Sequence, residues 1–505
     1  MKSLSIERVR SEGQSFGEEI SREYYLAGAG LKPTAELQPI YERHSSVVGP
    51  EALALVRGQL GQTTPGSEEH RQARMLLEWL ADLQSARELA PLDERAMAWE
   101  SSAVVHLDGT REIEYQQTSI TIANSTDRRE RQLIERARNT LVGAELAPMR
   151  RERFERERQI VEALDLADGY NATFEALSGI SLQELGSQCE AFLEETRALW
   201  EDAYPRFVRK SLNIEPRDAT RSDALALFRG HEFDEQFPAS SMEWEIRRQV
   251  REMGLDPIAG GRIVYDTEER AGKRSRAFCA FVRVPDEVYL VLRPHGGQSD
   301  WSTFLHELGH ALHFANTDRD LPFEYRWLGD NSITEAYAML FDHQLHDAGW
   351  LKRYTALGAT KLDAFVRSAA FAELHMLRRY SAKLLYEIEL HGGQIPFDKL
   401  PERYVERLTR ATSFRYDPAE AFVDVDPRYY AARYLRAWQL QALLTETLIQ
   451  RHNEDWWRNP RVGPWMLGEL FAAGQRELAQ ELAMRVSSSP LGFGPLVRAI
   501  ERQLA

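Results

Sequence analysis

The sequence is short of cysteine and of long apolar runs. It has two cysteines in 505 residues, Cys189 and Cys279, which cannot form a disulfide framework and fit a reducing compartment. No run of about 18 apolar residues occurs, so we expect no membrane-spanning helix. The first 25 residues carry charges throughout and have no apolar centre, unlike a secretory signal. These absences predict a cytoplasmic protein.

A surplus of positive charge is missing as well. The chain has 63 lysines and arginines against 78 acidic residues, which gives a net charge of -15. Nucleic acids and anionic membranes are recognised by basic surfaces, so we expect neither as a partner. The composition, 43% hydrophobic and 28% charged, is that of an ordinary globular protein, and the length allows two or three domains. The sequence leaves the oligomeric state open.

Helical periodicity covers most of the chain and predicts a mainly α fold. Amphipathic segments separated by Pro, Gly or Asn predict N-terminal helices at 52–59, 68–89, 127–142, 150–166 and 182–202. A strand-like stretch at 112–123 interrupts this series. Pro205 and the polar stretch 213–218 predict a boundary, so we divide the chain into an N-terminal helical lobe, 1–205, and a second lobe, 206–505.

The clearest chemistry lies in the run His306-Glu307-Leu308-Gly309-His310. If this run is helical, His306 and His310 project from one face, one turn apart, where two imidazoles can hold one zinc ion. Glu307, rotated from them by about 100° on the helix, can act on a water bound to that ion. The alternative is a surface helix whose histidines face solvent.

A third ligand is expected from the next helical stretch. Catalytic zinc takes three protein ligands and leaves a position for water. Glu335 follows His310 by 25 residues, which is enough for a helix to end and a second helix to return. Asp342 shares the face of Glu335 two turns later and can orient His306 or His310 by a hydrogen bond. The prediction is one zinc ion on His306, His310 and Glu335, although this ligand set also accepts manganese or cobalt.

One β-hairpin is expected directly before this helix. Residues 276–284 and 287–293 alternate or run apolar on either side of the turn Pro285-Asp286. An edge strand beside the metal can pair with an extended peptide and hold its scissile carbonyl at the metal. A purely structural hairpin that packs under the helix is the equal alternative.

Residues 306–313 resemble the H-E-x-G-H-x-x-H signature of the thimet oligopeptidase and oligoendopeptidase F family of zinc metallopeptidases. The upstream run 265–279 and the spacing from Glu335 to Asp342 are similar to that family too. The resemblance covers residues 255–345 and implies a mostly helical, two-lobed protein with zinc at the bottom of a deep channel. Carboxypeptidases of the Taq type share a similar zinc signature and stay open as an alternative.

A tyrosine-rich segment, 422–438, is similar to a run near the C-terminus of that family. A tyrosine hydroxyl can stabilise the oxyanion that forms during peptide hydrolysis, and the resemblance implies this role for Tyr429, Tyr430 or Tyr434. The histidine that precedes the run in the family is missing here, because Asp424 or Val425 stands in its place, depending on the register.

Substrate-binding candidates come from the same comparison. Arg433 and Arg436 replace tyrosines of the family in one register, and an arginine can bind a substrate carboxylate in a bidentate manner. This favours short peptides or carboxypeptidase action, with an ordinary helix surface as the alternative. His313 is a further candidate for substrate contact, and a hydrogen-bonded structural histidine is its alternative.

The sequence therefore predicts a zinc metallopeptidase of short peptides. Glu307 takes a proton from the attacking water and passes it to the leaving amine. Three alternatives stay open: a metal-dependent hydrolase of non-peptide amides, a zinc-bearing but catalytically altered peptide-binding protein, and a helical scaffold.

Overall fold

Within residues 4–109 and 111–505, which the computed structural model describes, 22 α-helices and five short strands make up the fold. The helices of the first half are α1 (Ile6–Gly28), α2 (Gln38–Arg43), α3 (Pro50–Gln62), α4 (Glu68–Ser102), α5 (Tyr115–Asn124), α6 (Arg128–Leu141), α7 (Ala147–Ala163), α8 (Gly169–Ser178), α9 (Leu182–Glu195), α10 (Arg197–Leu212), α11 (Arg221–Arg229) and α12 (Ala239–Glu252). Those of the second half are α13 (Gln298–Ala315), α14 (Phe323–Trp327), α15 (Asn331–Asp342), α16 (Ala348–Tyr354), α17 (Ala359–His391), α18 (Leu400–Thr412), α19 (Tyr430–His452), α20 (Val462–Met466), α21 (Ala479–Ser487) and α22 (Gly494–Leu504). The predicted mainly α fold is confirmed.

The strands form two small sheets. β1 (Val104–His106) pairs with β2 (Glu112–Glu114), and β3 (Ile263–Asp266), β4 (Phe278–Arg283) and β5 (Glu287–Val291) form a sheet in the order β3-β5-β4. β4 and β5 are antiparallel, which confirms the predicted hairpin, and β3 is parallel to β5. The sequence did not predict β3, because four residues are too few to show a periodicity.

Two local predictions are wrong. The strand-like stretch 112–123 is a strand only as far as Glu114, and α5 follows, because Thr118 and Ile122 lie four residues apart and are buried on one helical face. The predicted helix 182–202 is divided at Thr196, and α10 continues through Pro205 to Leu212. Pro205 therefore lies inside a helix instead of ending one.

The chain forms two compact units, each assembled from three stretches. The first unit contains the residues up to Gln84, Glu232–Val366 and Arg436–Leu496, and the second contains Ser85–His231, Arg367–Leu435 and Val497–Ala505. Each unit is made of stretches that are far apart in the sequence. The predicted lobes, 1–205 and 206–505, are instead continuous parts of the chain, and these lobes stay a prediction. None of the helices in the described residues combines the length and the apolar character that crossing a membrane requires.

The first unit is organised around α13. Apolar side chains cover most of its circumference and are fully buried: Trp301, Phe304, Leu305, Leu308, Ala311 and Leu312. α15 packs along α13, and the sheet formed by β3, β4 and β5 contacts it as well. A helix so enclosed is stabilised by the removal of apolar surface from water, which fixes the positions of its few polar side chains.

The second unit buries a network of charged side chains. Asp424 forms ion pairs with Arg379 and, at 3.5 Å, with Lys383, and it accepts a hydrogen bond from the Tyr404 hydroxyl at 2.8 Å. Lys383 also lies 2.9 Å from Asp426. Asp424 and Asp426 are therefore each matched by a cationic side chain, as buried charges require.

Candidate metal centre

Gly309 sets the distance between the two helices that carry the site. A Cβ atom built on Gly309 would lie 2.6 Å from Ala338 Cα and 2.7 Å from the Tyr337 carbonyl oxygen, both on α15. No real side chain tolerates such contacts with a backbone, so α13 and α15 can pack this closely only with glycine here. The close approach brings the carboxylates of α15 to the histidines of α13.

The three predicted ligands meet at one point between α13 and α15. His306 Nε2 lies 3.4 Å and His310 Nε2 lies 3.7 Å from Glu335 Oε2. One donor atom from each of the three side chains lies within 4.8 Å of the other two. The structure thus brings together residues that are separated by 25 positions in the chain.

Each histidine is oriented by a hydrogen bond at Nδ1, the ring nitrogen that does not face Glu335. His306 Nδ1 lies 2.8 Å from Asp342 Oδ2, and His310 Nδ1 lies 2.8 Å from Thr334 Oγ1. An Nδ1–H that donates to oxygen leaves the Nε2 lone pair directed at the meeting point, which is how outer partners orient metal-ligating histidines. The sequence pointed to Asp342 but missed Thr334, whose only signal is its position one residue before Glu335.

This donor set fits a divalent metal ion. Two imidazole nitrogens and one carboxylate oxygen are the protein ligands of many catalytic zinc sites. Burial lowers the pKa of His310 to about 4, so its ring is neutral at physiological pH, as a ligand must be. Burial also lowers the pKa of His306, but the hydrogen bonds and charges of Asp342 and Glu335 outweigh it and raise that pKa well above its usual value. The carboxylates of Asp342 and Glu335 thus favour a positive charge beside His306.

Glu307 lies on the same helix and contacts the hairpin. Its Oε2 accepts a hydrogen bond from the backbone N–H of Cys279 on β4, at 2.8 Å. Burial raises the pKa of Glu307 to about 7, although the charge of His306 and the Cys279 N–H act in the opposite direction. A carboxyl group with such a pKa can both accept and return a proton near neutral pH. The predicted position of the hairpin beside the histidine helix is confirmed by this contact.

The thiol of Cys279 is not a reactive group here. Burial and then the charge of Glu307 raise the pKa of this thiol well above its usual value. Because the thiolate is the nucleophilic form, the side chain stays an inert, partly buried neighbour of Glu307.

His313, a predicted substrate contact, lies in the core of the first unit. It is fully buried between the rings of Phe314, Tyr337 and Phe471, at centroid distances of 5.0, 4.9 and 6.0 Å. Burial lowers its pKa to about 3, so the ring is neutral. This placement gives His313 a packing role and does not support contact with substrate.

The predicted tyrosines belong to the second unit. Tyr429 is fully buried, its hydroxyl donates to Asn171 Oδ1 at 2.6 Å, and its ring packs against Phe174 at 4.9 Å. Tyr430 and Tyr434 are partly exposed, and their ring centroids lie 4.8 Å apart on the first turns of α19. Of the three, Tyr430 and Tyr434 are therefore the accessible ones, while Tyr429 is engaged in packing.

The two arginines of that segment have structural contacts. Arg433 is buried in the second unit, with its guanidinium 5.9 Å from the Phe174 ring centre. Arg436, in the first unit, donates to Asp330 Oδ2 at 3.1 Å. Asp330 is the N-cap of α15 and accepts the Ser332 N–H at 3.0 Å. Arg436 thus fixes the start of the helix that presents Glu335, a role that the sequence did not reveal.

Comparison with known proteins finds a likeness in structure but none in sequence. No protein-family model matches the sequence, and no curated protein matches it. Among solved structures, the chain is similar to the M32 carboxypeptidase from Deinococcus radiodurans R1, with a TM-score of 0.62 and 12% identity over 99% of this chain and 98% of that one. The two chains share a fold. At this identity the likeness extends no further, and it does not place the chain in the thimet oligopeptidase and oligoendopeptidase F family, which stays a prediction.

Proposed function

We propose that the protein is a zinc-dependent peptidase. The observation that carries the proposal is the convergence of His306, His310 and Glu335, with Glu307 one residue from the first ligand and directed to the hairpin. The fold shared with an M32 carboxypeptidase supports it. When bound, zinc supplies a Lewis acid that lowers the pKa of a water molecule toward neutrality.

The residues around the site divide the remaining work. Glu307 accepts the proton of the attacking water and later gives it to the leaving amine, for which a pKa of about 7 is well suited. The Cys279 N–H holds the Glu307 carboxylate on the side of β4. Asp342 and Thr334 fix the two imidazoles, so the ligands need no reorganisation when the metal binds.

The hairpin offers a short docking edge for peptide. β4 lies at the edge of its sheet, and Cys279 on it contacts Glu307. Further along the strand, the carbonyl oxygen of Phe281 is engaged by the Ser21 hydroxyl at 3.0 Å. Because the Cys279 N–H and the Phe281 carbonyl oxygen are both engaged, this edge has room to pair with a short extended chain, which favours short peptides over long ones.

Carboxypeptidase action is favoured over internal cleavage. Arg276 is exposed, precedes Cys279 by three residues, and carries a charge that lowers the pKa of Glu307. A guanidinium so placed can bind the terminal carboxylate of a peptide whose last bond lies at Glu307. With Arg433 and Arg436 engaged elsewhere, Arg276 is our candidate for this contact.

The test is cleavage of a mixed peptide library by the full chain, before and after chelation and after zinc is restored. The proposal expects chelator-sensitive cleavage of short peptides that Glu307→Gln abolishes while its metal content is unchanged. Sequential loss of C-terminal residues, slowed about tenfold or more in C-terminal amides and in Arg276→Ala, would support the carboxypeptidase mode. Internal cuts would reject that mode and keep the peptidase. Bound zinc without any cleavage would instead indicate a peptide-binding protein.

A further inference from the structure

The carboxylate of Asp342 binds two imidazoles, of which the metal centre uses only one. We propose that His343 is a positioning residue of the metal centre, acting on His306 through Asp342. This inference rests on the proposed metal site but not on the reaction that the site catalyses.

The geometry defines a chain of three side chains in the first unit. Asp342 ends α15, and His343 is the first residue of the 3-10 turn that follows, His343–His346. Asp342 Oδ2 lies 2.8 Å from His306 Nδ1, and its Oδ1 is hydrogen-bonded to His343 Nδ1. The Asp342 and His343 side chains are 14% and 15% exposed, so water competes little for these bonds.

Occupation of both oxygens restrains the carboxylate. An aspartate with a single partner can rotate about its last bond and present either oxygen at several angles. Here a rotation that moves Oδ2 from His306 also breaks the bond from His343 to Oδ1. His343 therefore limits the orientations of Asp342, and through it those of the His306 ring.

The same carboxylate sets the tautomer of His306. Asp342 Oδ2 lies 2.8 Å from His306 Nδ1, and an Nδ1–H that donates to it leaves His306 Nε2 free to bind a metal.

His343 is itself supported by a neighbour. The His346 ring lies 4.9 Å from the His343 ring, centre to centre, within the same turn. The polar path from the meeting point thus runs outward through His306, Asp342 and His343. A pattern search for H-E-x-x-H and a distant Glu finds His306 of this path but neither Asp342 nor His343.

The experiment compares two substitutions at His343 in the full chain. His343→Leu removes the donor, whereas His343→Asn keeps an N–H at nearly the place of Nδ1. His70→Leu is the control, because His70 is also in the first unit but its ring bonds to Thr63 Oγ1, at 3.1 Å. The readouts are zinc affinity by chelator competition, the visible spectrum of the cobalt-substituted protein, and the melting temperature of the metal-free protein.

We expect His343→Leu to weaken zinc binding by about 10-fold and to alter the cobalt spectrum, because it loosens Asp342, and losses of outer partners of metal-bound histidines begin at this size. His343→Asn should stay within about threefold of wild type, and His70→Leu should be unchanged. Unchanged affinity and spectrum in His343→Leu would overturn the inference. So would equal losses in the Leu and Asn variants, which would indicate general loss of packing.

Failure of the proposed function is distinguishable from failure of this inference. If wild type binds zinc but cleaves no peptide, the peptidase proposal fails while the affinities still decide the role of His343. If wild type binds neither zinc nor cobalt, both proposals are overturned.

Discussion

Each of the two units buries a cluster of ionisable side chains, and the clusters are built in opposite ways. In the second unit, Asp424 is surrounded by the cations Arg379 and Lys383, which outweigh the effect of burial and hold the pKa of its carboxyl well below the usual range. In the first unit, Glu335 faces two imidazoles, of which His310 is kept neutral by burial.

The difference shows how a buried cluster can be assigned to structure or to function. Acids that are matched by lysine and arginine are neutralised within the protein and need nothing further. Acids that face imidazoles, with all their donor atoms converging, are arranged to receive a cation from outside. The comparison therefore predicts that changes in the first cluster alter metal binding and turnover, and that changes in the second alter stability.

The largest effect is expected from matched substitutions of two glutamates with raised pKa, the partly buried Glu307 and the fully buried Glu387. Burial raises the pKa of Glu307 to about 7 and that of Glu387 in the second unit to about 8. Glu307→Gln should lower kcat by about 10³-fold or more, because the proton acceptor is lost, and should leave zinc content unchanged. Glu387→Gln should leave kcat within about twofold of wild type. Full activity of Glu307→Gln, measured on the peptide that wild type cleaves best, would contradict the assignment.

A second pair of changes separates stability from metal affinity. Asp424→Asn leaves Arg379 without its buried counter-charge, although Lys383 keeps Asp426, so it should cost about 3–5 kcal/mol of the free energy of unfolding. Asp342→Asn should cost much less stability but weaken zinc binding by about 10- to 100-fold. Urea unfolding and chelator competition on both variants measure the two quantities. Weaker zinc binding in Asp424→Asn than in Asp342→Asn, or a larger loss of stability in Asp342→Asn than in Asp424→Asn, would contradict the comparison.

The arrangement of α13 and α15 was only partly accessible from sequence. The helical spacing of His306 and His310 predicted that they share a face, because this depends on local periodicity, and the 25 residues to Glu335 allowed a second helix to return. These are the three side chains that converge in the structure. The β4–β5 hairpin was predicted from local periodicity as well. The contacts of Thr334 and Arg436 depend on which elements meet in three dimensions, and no periodicity records that.

In the tyrosine-rich segment, 422–438, periodicity was not sufficient to predict which side chains are accessible. The alternative registers for 422–438 could not be separated by sequence, because both place aromatic residues at helical spacing. The structure begins α19 at Tyr430 after a turn in which Arg428 has a φ of 52°, so Tyr429 points into the core and Tyr430 and Tyr434 share a face. A positive φ at a residue such as Arg428 depends on the tertiary structure, so the sequence does not predict it.

A smaller effect is expected from two glycine substitutions on helices of the first unit. Gly309→Ala places a methyl group 2.6 Å from Ala338 Cα, which should destabilise the protein by about 1–3 kcal/mol and also weaken zinc binding. Gly58→Ala on α3 meets no atom within 4 Å and should be neutral or stabilising by up to about 1 kcal/mol. The melting temperatures of the two variants test this. A Gly309→Ala protein as stable as Gly58→Ala would show that α13 and α15 pack less closely than described.

The smallest effect concerns the hydrogen bond behind His310. Thr334→Val has the same shape but removes the acceptor of His310 Nδ1, and it should weaken zinc binding by about 10-fold with little change in melting temperature. Thr334→Ser keeps the hydroxyl and should bind zinc like wild type. If valine and serine at this position give equal affinities, Thr334 does not orient His310.

The central claim, that His306, His310 and Glu335 form one metal site, is tested most directly by zinc titration of the metal-free full chain against a competing chelator. The account predicts one tight equivalent for wild type and loss of that equivalent in His310→Ala, with the fold retained by circular dichroism. Absence of tight binding in wild type, or an unchanged equivalent in His310→Ala, would contradict it.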